Sequence, residues 1–126
     1  MHKLLIMDDD IDKLTNQVRP KLEALASKYD ACVTQALPTM LELLPKNCSK
    51  AIGVAKLCEA LSIDVQNELL AIGDAENDAE MLKDACIGVA VGNASKIARD
   101  CADFVLEECN DEGGAGVAID TFVILD

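Results

Sequence analysis

Two aspartates four residues apart, Asp74 and Asp78, stand at the end of an apolar run over residues 69–72. A short apolar run that is closed by glycine is typical of a buried strand, so these acids are expected on a turn from a strand into a helix. Carboxylate oxygens are the ligands that a hard cation such as Mg²⁺ prefers. The spacing therefore predicts a site for one divalent cation, although acids also favour helix N-termini on electrostatic grounds alone.

The composition limits the classes of partner. The 126 residues are 51% hydrophobic but only 2% aromatic, so the core must be built from aliphatic side chains, which suits packed layers of helices and strands. The formal net charge of −12 argues against nucleic acid and against an anionic membrane surface as partners. Metal cations match this charge better.

The six cysteines include no Cys-x-x-Cys pair. Most of them lie within apolar stretches, which favours free thiols in a reducing compartment over disulfides or a zinc site. No apolar run approaches the roughly 18 residues of a membrane span, and the first residues lack the apolar core of a signal peptide. We therefore expect a cytoplasmic protein.

The first 48 residues predict a β-α-β-β unit. Apolar residues recur every three or four positions from Ile11 to Leu25, which predicts a helix with one apolar face. Pro20 is expected to kink this helix or to mark its proper start, because proline lacks the N–H donor. A turn containing Pro38 separates the last two strands. The strands are predicted at residues 4–7, 32–34 and 40–44.

From residue 49 onward, strands and helices alternate with short links, which predicts a parallel sheet. Ser49 is the expected N-cap of the first helix. The residues of that helix that are expected to face the core are Ile52, Ala55, Leu57 and Leu61. The later elements are predicted as strands at 69–72, 87–91 and 103–106, helices at about 77–85 and 94–101, a loop at 110–116 and an apolar segment at 117–125.

Four segments of the second half occur in the order of a known family's motifs. They are Ser49-Lys50, residues 71–82 with Gly-Asp-Ala-Glu-Asn-Asp, residues 87–94 with Val-Gly-Asn-Ala, and residues 102–105. They resemble the carboxyl-terminal half of Cof-type phosphatases of the haloacid dehalogenase (HAD) superfamily. The resemblance implies an α/β fold, with part of a HAD-like Rossmannoid parallel sheet over residues 49–126. Residues 1–48 would be a β-α-β-β remnant of the family's α/β cap, packed with the rest as one compact unit.

The resemblance also implies a mechanism and a set of site residues. The reaction would be phosphoryl transfer to an aspartate nucleophile, with a second aspartate as general acid and Mg²⁺ as cofactor. By matched position, Lys50 would hold the nucleophile and the phosphate by its charge. Asp74 would bind Mg²⁺, and Asp78 would bind it directly or through water. Asn77 would approach the phosphate and Asn93 would line the mouth of the site, with a small phosphorylated metabolite such as a sugar phosphate as substrate.

The nucleophile segment of that family, Asp-x-Asp-Gly-Thr, is absent from these 126 residues. Asp8 and Asp10 follow the first strand and are candidates for a substitute nucleophile and acid, with Thr34 in place of the family's second-strand hydroxyl. The helix pattern starts immediately at Ile11, however, and no Gly-Thr pair follows the aspartates. The same acids therefore also fit a solvated turn at the start of a helix.

Two other phosphate- or metal-binding classes fit less well. A receiver domain also begins with an apolar strand and paired acids, but it needs a phosphoacceptor aspartate at the end of its third strand, where Leu44 and Pro45 stand. An EF-hand would need glycine and glutamate where Lys13 and Arg19 occur.

The main alternative to an enzyme is a non-catalytic HAD-like remnant that binds metal or phosphate, or that mediates oligomerisation. Without the family's first strands, the sheet edge beside residues 69–72 would be apolar and unpaired. Because such an edge pairs readily with another chain, we expect a homodimer or a complementary chain that covers it.

Overall fold

The computed structural model describes residues 3–123 and has two compact units, Met1–Ser49 and Lys50–Asp126. Each unit contains a three-stranded sheet, antiparallel in the first unit and parallel in the second. The predicted α/β class with a parallel sheet in the second half is therefore confirmed. The close packing of the two units as one body stays a prediction.

The sheet of the first unit has the strand order β1-β3-β2. Its strands are β1 (Leu4–Met7), β2 (Ala31–Leu37) and β3 (Met40–Pro45). The β2 strand is longer than predicted because its pairing with β3 continues to Leu37 through a shift in register after Gln35. Leu14 and Leu41 are completely buried and form the centre of this unit's core.

One helical run covers residues 11–26 in three parts. These are α1 (Ile11–Lys13), a π-helical turn (Leu14–Val18) and α2 (Arg19–Ala26). In the π-turn, the Arg19 N–H donates to the carbonyl of Leu14, five residues back. The ring of Pro20 would clash with the carbonyl four residues back in a regular helix, and the wider turn relieves this clash. The irregularity predicted at Pro20 is thus confirmed, in the form of a π-turn.

The sheet of the second unit has the order β4-β5-β6, with β4 (Leu70–Gly73), β5 (Ile87–Ala90) and β6 (Phe104–Val105). Among the described residues, β4 pairs with β5 alone and is therefore an edge strand. The helices are α3 (Lys50–Leu61), α4 (Val65–Glu68), α5 (Ala79–Asp84), α6 (Lys96–Cys101) and α7 (Gly114–Phe122), with 3₁₀ turns at Glu76–Asp78 and Asn110–Glu112. Leu82, Val89 and Ala98 are fully buried in the core of this unit.

The prediction of the buried face of α3 was partly wrong. The buried residues are Ala51 and Cys58, whereas Ala55 is exposed and Leu57 and Leu61 are 59% and 60% exposed. Residues seven positions apart lie on one narrow stripe of a helix, and α3 packs against α5. The sequence pattern counts all apolar residues equally and cannot show which stripe meets the neighbouring helix.

The loop predicted at residues 110–116 was also partly wrong. It contains a 3₁₀ turn, and α7 begins at Gly114. A Cβ at Gly114 would lie 2.7 Å from the carbonyl oxygen of Glu108, so this glycine serves a close backbone approach. Only Gly113 has a left-handed backbone among the described glycines, with φ of 84°. Residues 124 and 125 of the predicted apolar segment lie outside the described residues.

The six cysteines all lie within the described residues and form no disulfide there, and of them Cys58 is buried and Cys86 is exposed. Within residues 3–123, every helix is too short or too polar to cross a membrane.

Two glycines give a matched test of the packing in the second unit. A Cβ at Gly88 would lie 2.1 Å from the backbone oxygen of Leu82, which cannot move freely. We expect Gly88→Ala to lower the free energy of unfolding by at least about 1–3 kcal/mol, as overpacking does. Gly53 lies inside α3, and a Cβ there would meet no atom within 4 Å beyond the backbone of its own helix. Gly53→Ala should therefore raise the free energy of unfolding by up to about 1 kcal/mol. Urea denaturation measures both variants, and equal effects would contradict the packing described for β5.

Candidate functional site

The turn after β4 is built around the carboxylate of Asp78. Its Oδ2 accepts hydrogen bonds from the N–H groups of Asp74 at 3.1 Å and Ala75 at 3.0 Å. A Cβ at Gly73 would lie 2.5 Å from the Asp78 Cβ, so only glycine leaves room for this side chain. The Gly-Asp-x-x-x-Asp spacing therefore folds the chain back on itself and presents Asp74 at the end of the strand.

Lys50 contacts the same carboxylate from the first residue of α3. Its Nζ donates to Asp78 Oδ1 at 2.5 Å, although the two residues are 28 positions apart. Asp78 is 3% exposed, whereas the Lys50 side chain is 52% exposed. Burial by itself raises the pKa of Asp78, but the Lys50 hydrogen bond and the two backbone N–H groups hold the pKa below its usual value of 3.8. Asp78 is therefore ionised at neutral pH and holds the lysine in place.

Asp74 is partly buried and is held from two neighbouring loops. Its backbone carbonyl accepts the Ser95 N–H at 2.7 Å, and its Oδ2 accepts a hydrogen bond from Asn110 Nδ2 at 3.1 Å. Ser95 follows β5 and Asn110 follows β6. The carboxylate thus lies at the carboxyl-terminal edge of the parallel sheet, where open α/β sheets bind their ligands.

Asn93 and Asn110 form a doubly hydrogen-bonded pair. Asn93 Nδ2 donates to Asn110 Oδ1 at 3.0 Å, and the Asn110 N–H donates to Asn93 Oδ1 at 3.0 Å. Asn93 is exposed and lies beside Asn110, the residue that contacts Asp74, and its place at the mouth of a site stays a prediction. Asn110 was not predicted. The available signal was its position in the loop that follows the third parallel strand, at the same edge of the sheet.

Asn77 lies in the 3₁₀ turn between Asp74 and α5. Its side-chain Oδ1 is buried and has no hydrogen-bond partner among the described residues. A buried amide oxygen without a partner is costly and uncommon in folded proteins. This oxygen is therefore available to a donor that is not part of the described chain.

Asp8 and Asp10 lie in the first unit, where β1 belongs to the antiparallel sheet. Asp8 Oδ2 pairs with Lys13 Nζ at 2.5 Å, and this hydrogen bond lowers the pKa of Asp8. Asp10 Oδ1 accepts the Lys13 N–H at 2.9 Å and caps α1. Thr34 lies within β2, opposite Glu42 of β3. Both aspartates therefore have local structural partners, and their role as a substitute nucleophile and acid stays a prediction.

The comparisons with known proteins agree with this fold. The chain belongs to the haloacid dehalogenase-like hydrolases, because the model of that family matches residues 1–119. The chain is 37% identical over 119 residues to a phosphatase of Bacillus subtilis (strain 168) named 5-amino-6-(5-phospho-D-ribitylamino)uracil phosphatase YcsE, and the match covers 94% of the chain and 45% of the relative.

Two solved structures extend the comparison. A HAD/COF-like hydrolase from Plasmodium vivax superposes with a TM-score of 0.84 at 28% identity, over 95% of this chain and 41% of that one. A sugar phosphatase of HAD subclass IIB superposes with a TM-score of 0.71 at 29% identity, over 83% of this chain and 40% of that one. The chain thus spans less than half the length of these relatives.

The resemblance to Cof-type members of the HAD superfamily is therefore confirmed, and the family is one of phosphatases. Phosphatases of this superfamily generally use Mg²⁺. Because the chain belongs to this family, the receiver-domain and EF-hand interpretations no longer apply.

Proposed function

We propose that this chain supplies the phosphate- and metal-binding part of a Mg²⁺-dependent phosphatase that acts on small phosphate esters such as sugar phosphates. The observation that carries the proposal is the ion pair between Lys50 and Asp78, which lies against the turn that presents Asp74. One ammonium group and one further carboxylate are thereby placed at the carboxyl-terminal edge of the parallel sheet.

Lys50 is suited to bind phosphate in this position. An ammonium group has three N–H donors, and the bond to Asp78 uses one of them. Because half of the side chain is exposed, the other donors can reach a phosphate in the solvent-facing part of the site. Removal of a phosphoryl group develops charge on its oxygens, and a fixed cation stabilises that charge.

The donor groups fit Mg²⁺ that is shared with a phosphate. Proteins bind this ion through one or two carboxylates together with phosphate oxygens and waters, and Asp74 offers such a carboxylate. Within residues 3–123, no three His, Cys, Asp or Glu side chains group closely enough to enclose a metal by themselves. Both oxygens of Asp78 are already engaged, which favours its predicted contact through water. When bound, Mg²⁺ would neutralise charge on the phosphate.

The substrate class is proposed from the relatives. The Bacillus subtilis relative is named for a phosphorylated ribityl compound, and one structural neighbour is a sugar phosphatase. Both names describe phosphate esters of small polyhydroxy compounds. The net charge of −12 argues against nucleic acid as the substrate. We propose the cytoplasm as the setting, which six cysteines that are not joined by disulfides support.

The second candidate function is a non-catalytic module that binds metal or phosphate. It is favoured by the local partners of Asp8 and Asp10, which engage both candidates for a substitute nucleophile and acid. The edge strand β4 supports the further proposal that a second copy or a complementary chain covers the parallel sheet. A clean monomer in light scattering, with no other chain bound, would contradict that part of the proposal.

A phosphatase assay on the purified chain separates the two functions. We expect any turnover of an aryl phosphate to require Mg²⁺ and to be lost in Asp74→Asn. If Asp8 is a substitute nucleophile, Asp8→Asn also abolishes turnover, whereas the exposed neighbour variant Asp9→Asn does not. No turnover, with Mg²⁺ binding that Asp74→Asn removes, identifies the binding module. Turnover that persists in Asp74→Asn would contradict both functions.

A further inference from the structure

We infer that Asn110 is a positioning residue that orients the carboxylate of Asp74 toward the cation and couples it to Asn93. This inference rests on the proposed function, because it takes Asp74 as the metal ligand. Asn110 is the first residue of the 3₁₀ turn after β6 and is 36 positions from Asp74 in the sequence.

The hydrogen bonds define which end of each amide faces which partner. The backbone N–H of Asn110 can only donate, so the group of Asn93 that receives it must be Oδ1. The Nδ2 group of Asn93 then faces the side chain of Asn110, which must present its Oδ1 there. The remaining Nδ2 group of Asn110 is left to donate to Asp74 Oδ2 at 3.1 Å. The backbone N–H of Asn110 therefore fixes the orientation of both side-chain amides, that of Asn93 and that of Asn110.

The loop that carries Asn110 lies directly on the loop that carries Asn93. The Gly92 N–H donates to the carbonyl of Glu108 at 2.7 Å. A Cβ at Gly92 would lie 2.1 Å from the carbonyl oxygen of Glu107, so the two backbones meet at the closest approach that glycine allows. The Cys109 N–H also donates to Glu112 Oε2 at 3.0 Å and closes the turn around Asn110. The Asn110 side-chain amide, which donates to Asp74, therefore belongs to a turn that is held against the loop of Asn93.

As a consequence, the two carboxylate oxygens of Asp74 differ in their hydrogen bonding. Oδ2 receives the amide hydrogen bond, and Oδ1 receives none from residues 3–123, which leaves it for the cation. Groups that hold a metal ligand through a hydrogen bond typically contribute 10- to 100-fold to metal affinity. We therefore expect Asn110→Ala to weaken Mg²⁺ binding by about 10- to 100-fold while the chain stays folded.

A metal-free measurement tests the contact itself. In EDTA, Asp74→Ala should shift the side-chain amide resonance of Asn110, which is assigned by its loss in Asn110→Ala. The side-chain amide of Asn67 serves as an internal reference, because it donates to Asp64 at 2.7 Å. An unchanged Asn110 resonance in a folded Asp74→Ala protein would overturn the inference.

A Mg²⁺ titration followed by calorimetry tests the consequence. The matched control is Asp111→Ala, since Asp111 is an exposed neighbour in the same 3₁₀ turn. Weaker binding in Asn110→Ala than in Asp111→Ala, at equal thermal stability, is the expected result. Equal Mg²⁺ affinity in wild type and Asn110→Ala would overturn the positioning role. A wild-type chain that binds no Mg²⁺ would instead overturn the proposed function, while the amide resonance still decides the contact.

Discussion

Replacing Asp78 by alanine is expected to lower the free energy of unfolding by about 2–4 kcal/mol, because each partly buried N–H group left without an acceptor costs roughly 1–3 kcal/mol. The two groups are the N–H donors of Asp74 and Ala75, which both bind Asp78 Oδ2. The substitution also leaves Lys50 without its partner. Urea denaturation followed by circular dichroism measures the loss.

The control for this prediction is Asp78→Asn, which keeps the shape of the side chain and an oxygen for the two N–H groups. It should cost less than Asp78→Ala at neutral pH. The pKa of Asp78 is lower in the folded chain than its usual 3.8, so ionised Asp78 contributes stability above that value and loses it as the pH falls through the folded pKa. Wild type and Asp78→Asn should therefore converge in stability at low pH. A difference that does not change with pH would contradict the ionised pair.

Lys50→Met is expected to lower the affinity for inorganic phosphate by about 10- to 100-fold, since a hydrogen bond to a charged group contributes about 1.5–3 kcal/mol. Methionine keeps much of the aliphatic stem, so the change removes mainly the charge. Phosphate titration followed by ³¹P NMR measures the affinity.

Lys56→Met is the matched control for Lys50→Met. Lys56 lies on the same helix, is exposed, and gives the same change in net charge. Its replacement should leave phosphate affinity nearly unchanged. Equal losses in the two variants would show that phosphate responds only to total charge, and would contradict a specific role for Lys50.

The sequence was most informative where a feature is local. The β4 strand and its acids were predicted within one or two residues, because an apolar run that ends in Gly-Asp has one strong local interpretation. The irregularity at Pro20 was predicted for the same reason, since proline acts on its own turn. By contrast, the buried stripe of α3 depends on where α5 lies, and Leu57 and Leu61 were wrongly placed in the core.

The partners within the site were outside the reach of local patterns. Asp78 was predicted as a metal ligand, but the pattern could not show that two backbone N–H groups and Lys50 engage both of its oxygens. Asn110 was missed because the glycines after it suggested a loop. Those glycines instead allow close backbone contacts, as Gly114 does with Glu108. The contacts that form this site join Lys50 to Asp78 and Asn110 to Asp74, which are 28 and 36 positions apart in the sequence.

The most direct test of the proposed site is whether Mg²⁺ and phosphate bind to this chain cooperatively through Asp74. We predict that saturating Mg²⁺ raises the affinity of the wild-type chain for inorganic phosphate by about 5- to 150-fold, the usual range for coupled sites, and that Asp74→Asn removes this increase. A phosphate affinity that is the same with and without Mg²⁺ in the wild-type chain would contradict the proposed site.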